Sequence, residues 1–311
     1  MKRVQYDRYG GPEEMYIGEF KLPDLGPNEV RVAVRAAAIN PFDWKLRRGA
    51  MKLFMNRSFP KGMGTDFAGI VEAAGQSVAD VHVGDEVFGT VDFKKSGAFA
   101  ETVVLESNFV AKKPPQLTFG EAACLPIPAM TAWAAIVQRA RVKAGSSIFV
   151  NGCLGAVGSS AVQLAIAHGA RVAGTSSPTS MRSADAMGVR PVFAYSDNNA
   201  YVKGEKFDAV FDTLGTLSVG DGISMLKPDG VFVDINPTPS RLARGLLSRR
   251  YKLAFATMGI KHLSAIAELA NKGSLRLKVG IEAPFDDALG TLTKTEVGSR
   301  ASGKVVFTMS P

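Results

Sequence analysis

From residue 4 to about residue 119 hydrophobic and polar positions alternate with a period of two, most clearly in Glu29-Val-Arg-Val-Ala-Val-Arg35. That period puts successive side chains on opposite faces, one buried and one wet. Gly10-Gly-Pro12, Leu25-Gly-Pro-Asn28 and Val83-Gly-Asp85 break the alternation with turn chemistry. The pattern predicts a compact β-barrel with few helices. Residues 119–139 switch to helical spacing, and beyond them short apolar runs alternate with helical stretches. Residues 147–151, 170–175, 192–194, 208–212 and 230–235 read as buried strands, with helices predicted behind the first of them and over 181–187. Strands alternating with helices imply α/β architecture, a doubly wound parallel sheet. Further along, 242–252 reads as a basic helix with its exit, 251–256 as a sixth strand, 262–272 as an amphipathic helix, and 275–279 and 303–307 as strands. The simplest arrangement returns this tail to the β-rich part. The predicted domains are 1–120, 121–260 and a returning segment 261–311.

The join between the first buried strand and its helix reads Asn151-Gly-Cys-Leu-Gly-Ala-Val-Gly158. A turn of this kind lets backbone N–H groups and the positive end of a helix approach a pyrophosphate closely, which side chains at the glycines would prevent. Gly152, Gly155 and Gly158, with Ala156 and Val157 between them, are therefore candidates for dinucleotide binding. Leu214 with Gly215, and Ile235 with Asn236, follow strands at the carboxyl edge, where open sheets bind ligands; a plain turn is the competing reading for each. The second strand runs through Thr175 into Ser176, Ser177, Thr179 and Ser180 with no acid before Asp185. An NAD site usually places a carboxylate there, which would repel a 2′-phosphate. Hydroxyls and the guanidinium of Arg182 suit that phosphate, so NADPH is the expected cofactor. The competing reading makes the serines helix caps and Arg182 a solvated residue.

Composition narrows the function classes. The 311 residues are 46% hydrophobic and 21% charged, an ordinary globular balance. The net charge of +8 is scattered, clustering only at Arg47-Arg48 and Arg249-Arg250-Tyr251-Lys252, so no nucleic-acid partner is expected. A positive field also draws in an anionic cofactor. With only Cys124 and Cys153, a disulfide framework and a four-cysteine zinc lobe are excluded, and both read as buried small residues. His82, His168 and His262 lack metal-ligand spacing. The first eight residues carry no apolar signal core, and the most apolar long window, 119–137, contains Glu121, Pro126 and Pro128. A soluble cytoplasmic protein with no membrane partner is the expectation.

Several motifs resemble the medium-chain dehydrogenase/reductase superfamily, in its zinc-independent quinone oxidoreductase and enone reductase branch. They are Ile39-Asn-Pro-Phe-Asp-Trp44 with Arg48-Gly49, Gly64-Thr-Asp-Phe-Ala-Gly-Ile-Val71, Val83-Gly-Asp-Glu-Val-Phe-Gly89, Gly97-Ala-Phe-Ala-Glu101, Leu125-Pro126, Thr131-Ala-Trp133, the glycine loop, and Gly303-Lys-Val-Val-Phe307. They span nearly the whole chain in the family's order. The loop departs at Cys153-Leu154 and Ala156, where relatives commonly carry Ala-Ser and Gly. The resemblance implies a GroES-like β-barrel catalytic domain joined to a Rossmann domain, and a homodimer assembled through the latter.

The resemblance also supplies chemistry. Zinc-using members place a Cys within the segment here occupied by Asn40-Pro-Phe-Asp43 and a His-Glu pair where this chain has Thr65-Asp66, so no metal site is expected. Without a Lewis acid the acceptor must be conjugated, a quinone or an α,β-unsaturated carbonyl. Asn40 and Asp43 lie on the segment that faces the nicotinamide in relatives: Asn40 is expected to orient substrate or carboxamide and Asp43 to hold the loop. The competing reading is a turn and a helix cap. Thr131 is implied on the nicotinamide side and Tyr195 at the 2′-phosphate, although the lysine that relatives often carry in this turn is missing. Trp44, Met51, Phe54 and Met55 suit an apolar wall for a flat substrate, and core packing explains them nearly as well. A non-catalytic NADPH-sensing protein of the same fold is the rival function.

Overall fold

The computed structural model describes residues 1–197, 201–245, 247–298 and 302–309. The chain divides into two units: Met1–Ile127, Leu263–Asn271 and Arg276–Pro311 form one, Pro128–His262 and Lys272–Leu275 the other.

The first unit is the barrel. Its longest strand, Glu29–Ala38, alternates buried and half-buried residues up to Arg35 and is buried throughout at Ala36, Ala37 and Ala38. This strand pairs antiparallel with Asp66–Ala74, Thr102–Glu106 and Lys304–Thr308. The path through the larger sheet runs Val279–Pro284, Lys304–Thr308, Glu29–Ala38, Asp66–Ala74, Glu86–Thr90, Val110–Lys112. A smaller sheet places Lys2–Tyr6 between Met15–Glu19 and Lys61–Gly62. Val32, Phe67, Val87, Phe99 and Phe307 fill the interior, the last two phenylalanines packing edge to face at 5.1 Å. The tail therefore completes the barrel by pairing Val306 with Ala38, and this sets Lys304 beside the residues that leave the long strand.

Helix Pro41–Arg47 follows directly. Proline opens it, where the missing N–H costs nothing, and acidic Asp43 lies in its first turn. Its last turn is anchored by fully buried Arg47, which donates to Gly10 O and pairs with Glu296 Oε2 at 2.6 Å. Trp44 packs against the barrel core and Met55 is buried, whereas Phe54 is exposed, so the four apolar residues considered for a wall do not share one face.

The second unit is a six-stranded parallel sheet in the order Val189–Ala194, Arg171–Ser176, Ser147–Asn151, Phe207–Asp212, Leu226–Asp234, Tyr251–Leu253. The order reverses at Ser147–Asn151, which is buried along its whole length, and helix Ala156–Ala167 leaves from its carboxyl end. One face is filled by Phe149, Tyr201, Phe207, Val210 and Phe232. Among the described residues no helix is long and apolar enough to cross a membrane.

Three expectations are corrected. The sixth strand stops at Leu253 because its neighbour Leu226–Asp234 ends opposite it; beyond Ala254 the backbone has no ladder partner and winds into a 3-10 helix, Ala256–His262. The basic helix is Pro239–Gly245, opened early by its proline, and not 242–252, of which Leu246 lies outside the described residues. Over 275–279 the alternation is real, with Leu275 and Leu277 buried and Arg276 and Lys278 exposed, but the strand itself is Val279–Pro284. A period of two describes any extended chain with one covered face, whereas a strand also needs a hydrogen-bonded neighbour.

Candidate active site

The residues entering helix Pro41–Arg47 meet the start of strand Asp66–Ala74 and the start of strand Lys304–Thr308 in a buried polar cluster of the first unit. The Asn40 N–H donates to Asp43 Oδ2 at 2.7 Å, a backward cap on the helix. The Asn40 side-chain NH2 donates to Asp66 Oδ2 at 2.9 Å and to Thr65 Oγ1 at 3.3 Å. Thr65 in turn donates to Asp43 Oδ1 at 2.9 Å, and the Ile127 N–H donates to Asp66 Oδ2 at 3.0 Å. Lys304 Nζ donates to Ile39 O at 2.7 Å and to Asn40 Oδ1. Every polar atom of the Asn40 amide is thereby taken up inside the cluster. Asp66 Oδ1 is buried with no hydrogen-bond partner among the described residues.

Two buried carboxylates sharing one ammonium are expensive to ionise. Burial pushes the Asp43 carboxyl up to about 6, against the Asn40 N–H, the Thr65 hydroxyl and Lys304, which pull it down. Burial pushes Asp66 up to about 7, opposed by Lys304 and Asn40 and reinforced by the charge of Asp43. The two titrate as a pair within the neutral range. Strongly shifted carboxyls gathered in one buried cluster make it a candidate site.

In the second unit the glycine loop sits at the carboxyl end of Ser147–Asn151. Gly152 has φ +84°, and a Cβ there would lie 2.7 Å from Thr213 Oγ1 and 2.8 Å from Leu214 Cγ. A Cβ on Gly158 would lie 2.0 Å from Gly152 O. Glycine is thus required at 152 by its left-handed backbone and the side chains of Thr213 and Leu214, and at 158 by close packing of backbone on backbone. Helix Ala156–Ala167 starts at exposed Gly155 with no side-chain cap, so its first N–H groups remain available for an anion.

The other predicted nucleotide residues gather at the same sheet edge. The Cys153 N–H donates to Thr175 O, and the Gly152 N–H donates to Thr175 Oγ1. Ser176 is buried, its hydroxyl donating to Ser177 O. Ser177 Oγ bonds to Ser180 Oγ and Thr179 Oγ1. The Tyr195 N–H bonds to Ser176 O, and the ring is 43% exposed. Arg182 is exposed and forms no hydrogen bond or ion pair among the described residues, whereas Asp185 is bound by Arg190 at 2.7 Å. Across the switch point, Asp212 accepts from the N–H groups of Leu214, Gly215 and Leu217, and Asn236 Nδ2 donates to Thr213 O. Ala156 and Val157 open the helix, and Ile235 and Asn236 follow directly on Leu226–Asp234. Thr131 is buried within helix Pro126–Trp133, at whose end the chain continues in a π-helical turn, Ala134–Arg139.

Sequence reasoning overlooked three participants. Lys304 is an ammonium at the head of an apolar strand, and Asp66 a carboxylate at the head of another; a charge inside an apolar run was the signal. Arg241 is the third. It bridges Asp212 at 2.8 Å and Asp234 at 3.0 Å, two fully buried carboxylates on paired strands, and Tyr251 donates to Asp234 at 2.7 Å. Asp212 and Asp234 close the strands that precede the two predicted loops, so this clasp holds both loops in place.

The cysteines are buried, and burial pushes their thiols up to about 12 at Cys124 and about 11 at Cys153, which leaves them unreactive. His262 stacks on Trp133, and His168 Nδ1 lies 2.7 Å from Leu164 O. A cavity of about 270 Å³ elsewhere in the barrel is lined by Arg3, Phe20, Lys61 and Phe109, and by none of the clustered residues above.

A barrel and a parallel nucleotide-binding sheet in one chain are the architecture of the two-domain dehydrogenases. Residues 26–115 match the family model of the alcohol dehydrogenase GroES-like domain, and residues 187–307 match that of a zinc-binding dehydrogenase. A quinone oxidoreductase of Sus scrofa is 32% identical over 99% of this chain and 97% of its own length. An Arabidopsis thaliana protein named NADPH-dependent alkenal/one oxidoreductase, chloroplastic, is 34% identical over 75% of this chain and 62% of its own. The solved structure of the quinone oxidoreductase from Coxiella burnetii aligns with a TM-score of 0.88 at 28% identity, covering 100% of this chain and 99% of that one. The chain belongs to the medium-chain dehydrogenase/reductase superfamily, in its quinone oxidoreductase and enone reductase branch.

Proposed function

We propose that this protein is an NADPH-dependent oxidoreductase that reduces quinones or α,β-unsaturated carbonyls without zinc. The observation that carries the reading is the polar cluster around Asn40. Its donor set is an amide, a hydroxyl, two carboxylates and an ammonium, and the ammonium hydrogen-bonded to Asn40 repels a divalent cation. A conjugated acceptor suits such a site because conjugation spreads the negative charge that develops on reduction. The glycine loop fits a dinucleotide: Gly152 and Gly158 leave no room for a side chain, and Ala156 to Gly158 present uncapped N–H groups to the pyrophosphate. Leu214, Gly215, Ile235 and Asn236 are assigned to the nicotinamide half and Thr131 to the ring itself. Ser177, Arg182 and Tyr195, with Ser176 as support, are assigned to the 2′-phosphate. The guanidinium of Arg182, unpaired among the described residues, and the absence of an acid at the strand end support NADPH over NADH.

When bound, the reduced nicotinamide supplies hydride. Asn40 and Asp43 act by shaping the segment that presents the acceptor, since the Asn40 amide is spent on Thr65, Asp66 and Lys304. A homodimer and a cytoplasmic location belong to the same proposal; the dimer is supported by the short edge strand Tyr251–Leu253, whose outer backbone a partner can cover. The test is steady-state NADPH oxidation against a graded series of quinones, enals and enones. Turnover with conjugated acceptors and none with simple ketones is expected. Nucleotide binding without turnover of any acceptor would instead favour a nucleotide-sensing protein.

A further inference from the structure

Lys304 is 7% exposed, and its partners both come from the chain entering helix Pro41–Arg47: the Ile39 carbonyl and the Asn40 amide oxygen. An ammonium has only protons to offer, so the oxygen of the Asn40 amide must face Lys304 and its NH2 must face Thr65 and Asp66. Without that cation the amide oxygen loses its donor, and only the acceptors on the other side, Thr65 and Asp66, still hold the amide. The ammonium also offsets the two carboxylates behind the amide, Asp43 reached through Thr65 and Asp66 through Asn40 itself. From the short helix Phe119–Ala123 and its cap, the Cys124 thiol faces the same charges, with Glu121 and Glu282 beyond it. Lys304 is thus the cation on which orientation and charge in this cluster both depend.

We propose that Lys304 is a positioning residue for the reduction: its ammonium fixes the Asn40 amide and offsets the charge of the Asp66 carboxylate behind it, and so sets the segment that presents the acceptor. The inference rests on the oxidoreductase reading above. The attraction between the ammonium and Asp66 exists only while that carboxyl is ionised, so activity falls as the pair takes up protons on the acid side. Removing the ammonium makes ionisation of both carboxyls harder and moves that fall to higher pH.

Lys304→Met keeps an unbranched side chain as far as Cε and removes the charge and donors. It is expected to lower kcat roughly ten- to a hundredfold, the scale of a small misplacement at a reacting centre. Its Kd for NADPH, read by fluorescence, should stay within about twofold, since the glycine loop belongs to the other unit. The acid limb of kcat/KM should move up by about one pH unit, with the same shift in the ¹³C carboxyl titration of Asp43 and Asp66 in nucleotide-free protein. Lys304→Arg should return the acid limb toward the wild-type position. If Lys304→Met does not fold, Lys304→Gln, which keeps a donor without the charge, must show the same pH shift. Unchanged turnover, or reduced turnover with an unmoved carboxyl titration, overturns the proposal while leaving the oxidoreductase reading intact. A wild-type protein that reduces no quinone or enone overturns both.

Discussion

Asn40 shows how residue type and residue role separate. As a polar group beside a proline it reads as a substrate-orienting amide with a turn as the competing reading, and in the fold its oxygen and its NH2 are both taken up by Lys304, Thr65 and Asp66. Asn40→Ala takes one hydrogen bond from each of those partners, and turnover is expected to fall on the order of a hundredfold with little change in NADPH affinity; full activity in a folded variant would remove Asn40 from the site. The raised carboxyls make a second test. Folded-state values of about 6 for Asp43 and about 7 for Asp66 lie above their ordinary value of 3.8, so the folded chain holds more protons than the unfolded one between them. This contribution to stability is complete below the ordinary value and is lost as pH rises through 6 to 7. Asp66→Asn is neutral at every pH, so between pH 5 and 8 wild-type stability should drop by on the order of 3 kcal/mol more than the variant's. Parallel Tm curves would show that Asp66 is ionised throughout. Arg182 supplies a third test: Arg182→Ala should raise the KM for NADPH roughly tenfold, the loss of one hydrogen bond to a charged group, and leave that for NADH nearly unchanged. An equal effect on both cofactors would exclude it from specificity.

At the scale of elements, the strand, turn and helix from Ser147 to Ala167 were legible because glycine spacing and helical periodicity are local properties of the chain. Gly158→Ala tests what the geometry adds. Its Cβ would meet Gly152 O at 2.0 Å, so the helix start must shift away from the loop, and nucleotide affinity should fall at least tenfold while the barrel core is untouched. Normal NADPH binding by that variant would show that the loop has slack. The elements misjudged were those whose ends depend on a neighbour, such as Tyr251–Leu253, which stops where its partner strand stops. The clasp of Arg241 on Asp212 and Asp234 was invisible for the same reason, since these residues meet only when parallel strands align.

For the molecule as a whole, metal independence and assembly are the properties to measure. Chelator treatment is expected to leave turnover unchanged, since the Asn40 cluster answers its carboxylates with an ammonium; stoichiometric zinc in washed protein together with loss of activity in chelator would reverse the assignment. Light scattering at micromolar concentration should return twice the 33.0 kDa chain mass. A single-chain mass would leave the edge strand Tyr251–Leu253 without the partner proposed for it.

The amino-acid sequence alone determined the two kinds of architecture, the nucleotide loop and the absence of thiol and imidazole ligands, because each is written in spacing or in residue identity at neighbouring positions. Tertiary structure alone decided what surrounds Asn40. Lys304 is 264 residues away along the chain and reaches it only because the final strand pairs with the end of Glu29–Ala38. Burial, not sequence proximity, then raises Asp43 and Asp66 toward neutrality: a carboxyl's proton affinity is set by the solvent it loses and the charges that replace it.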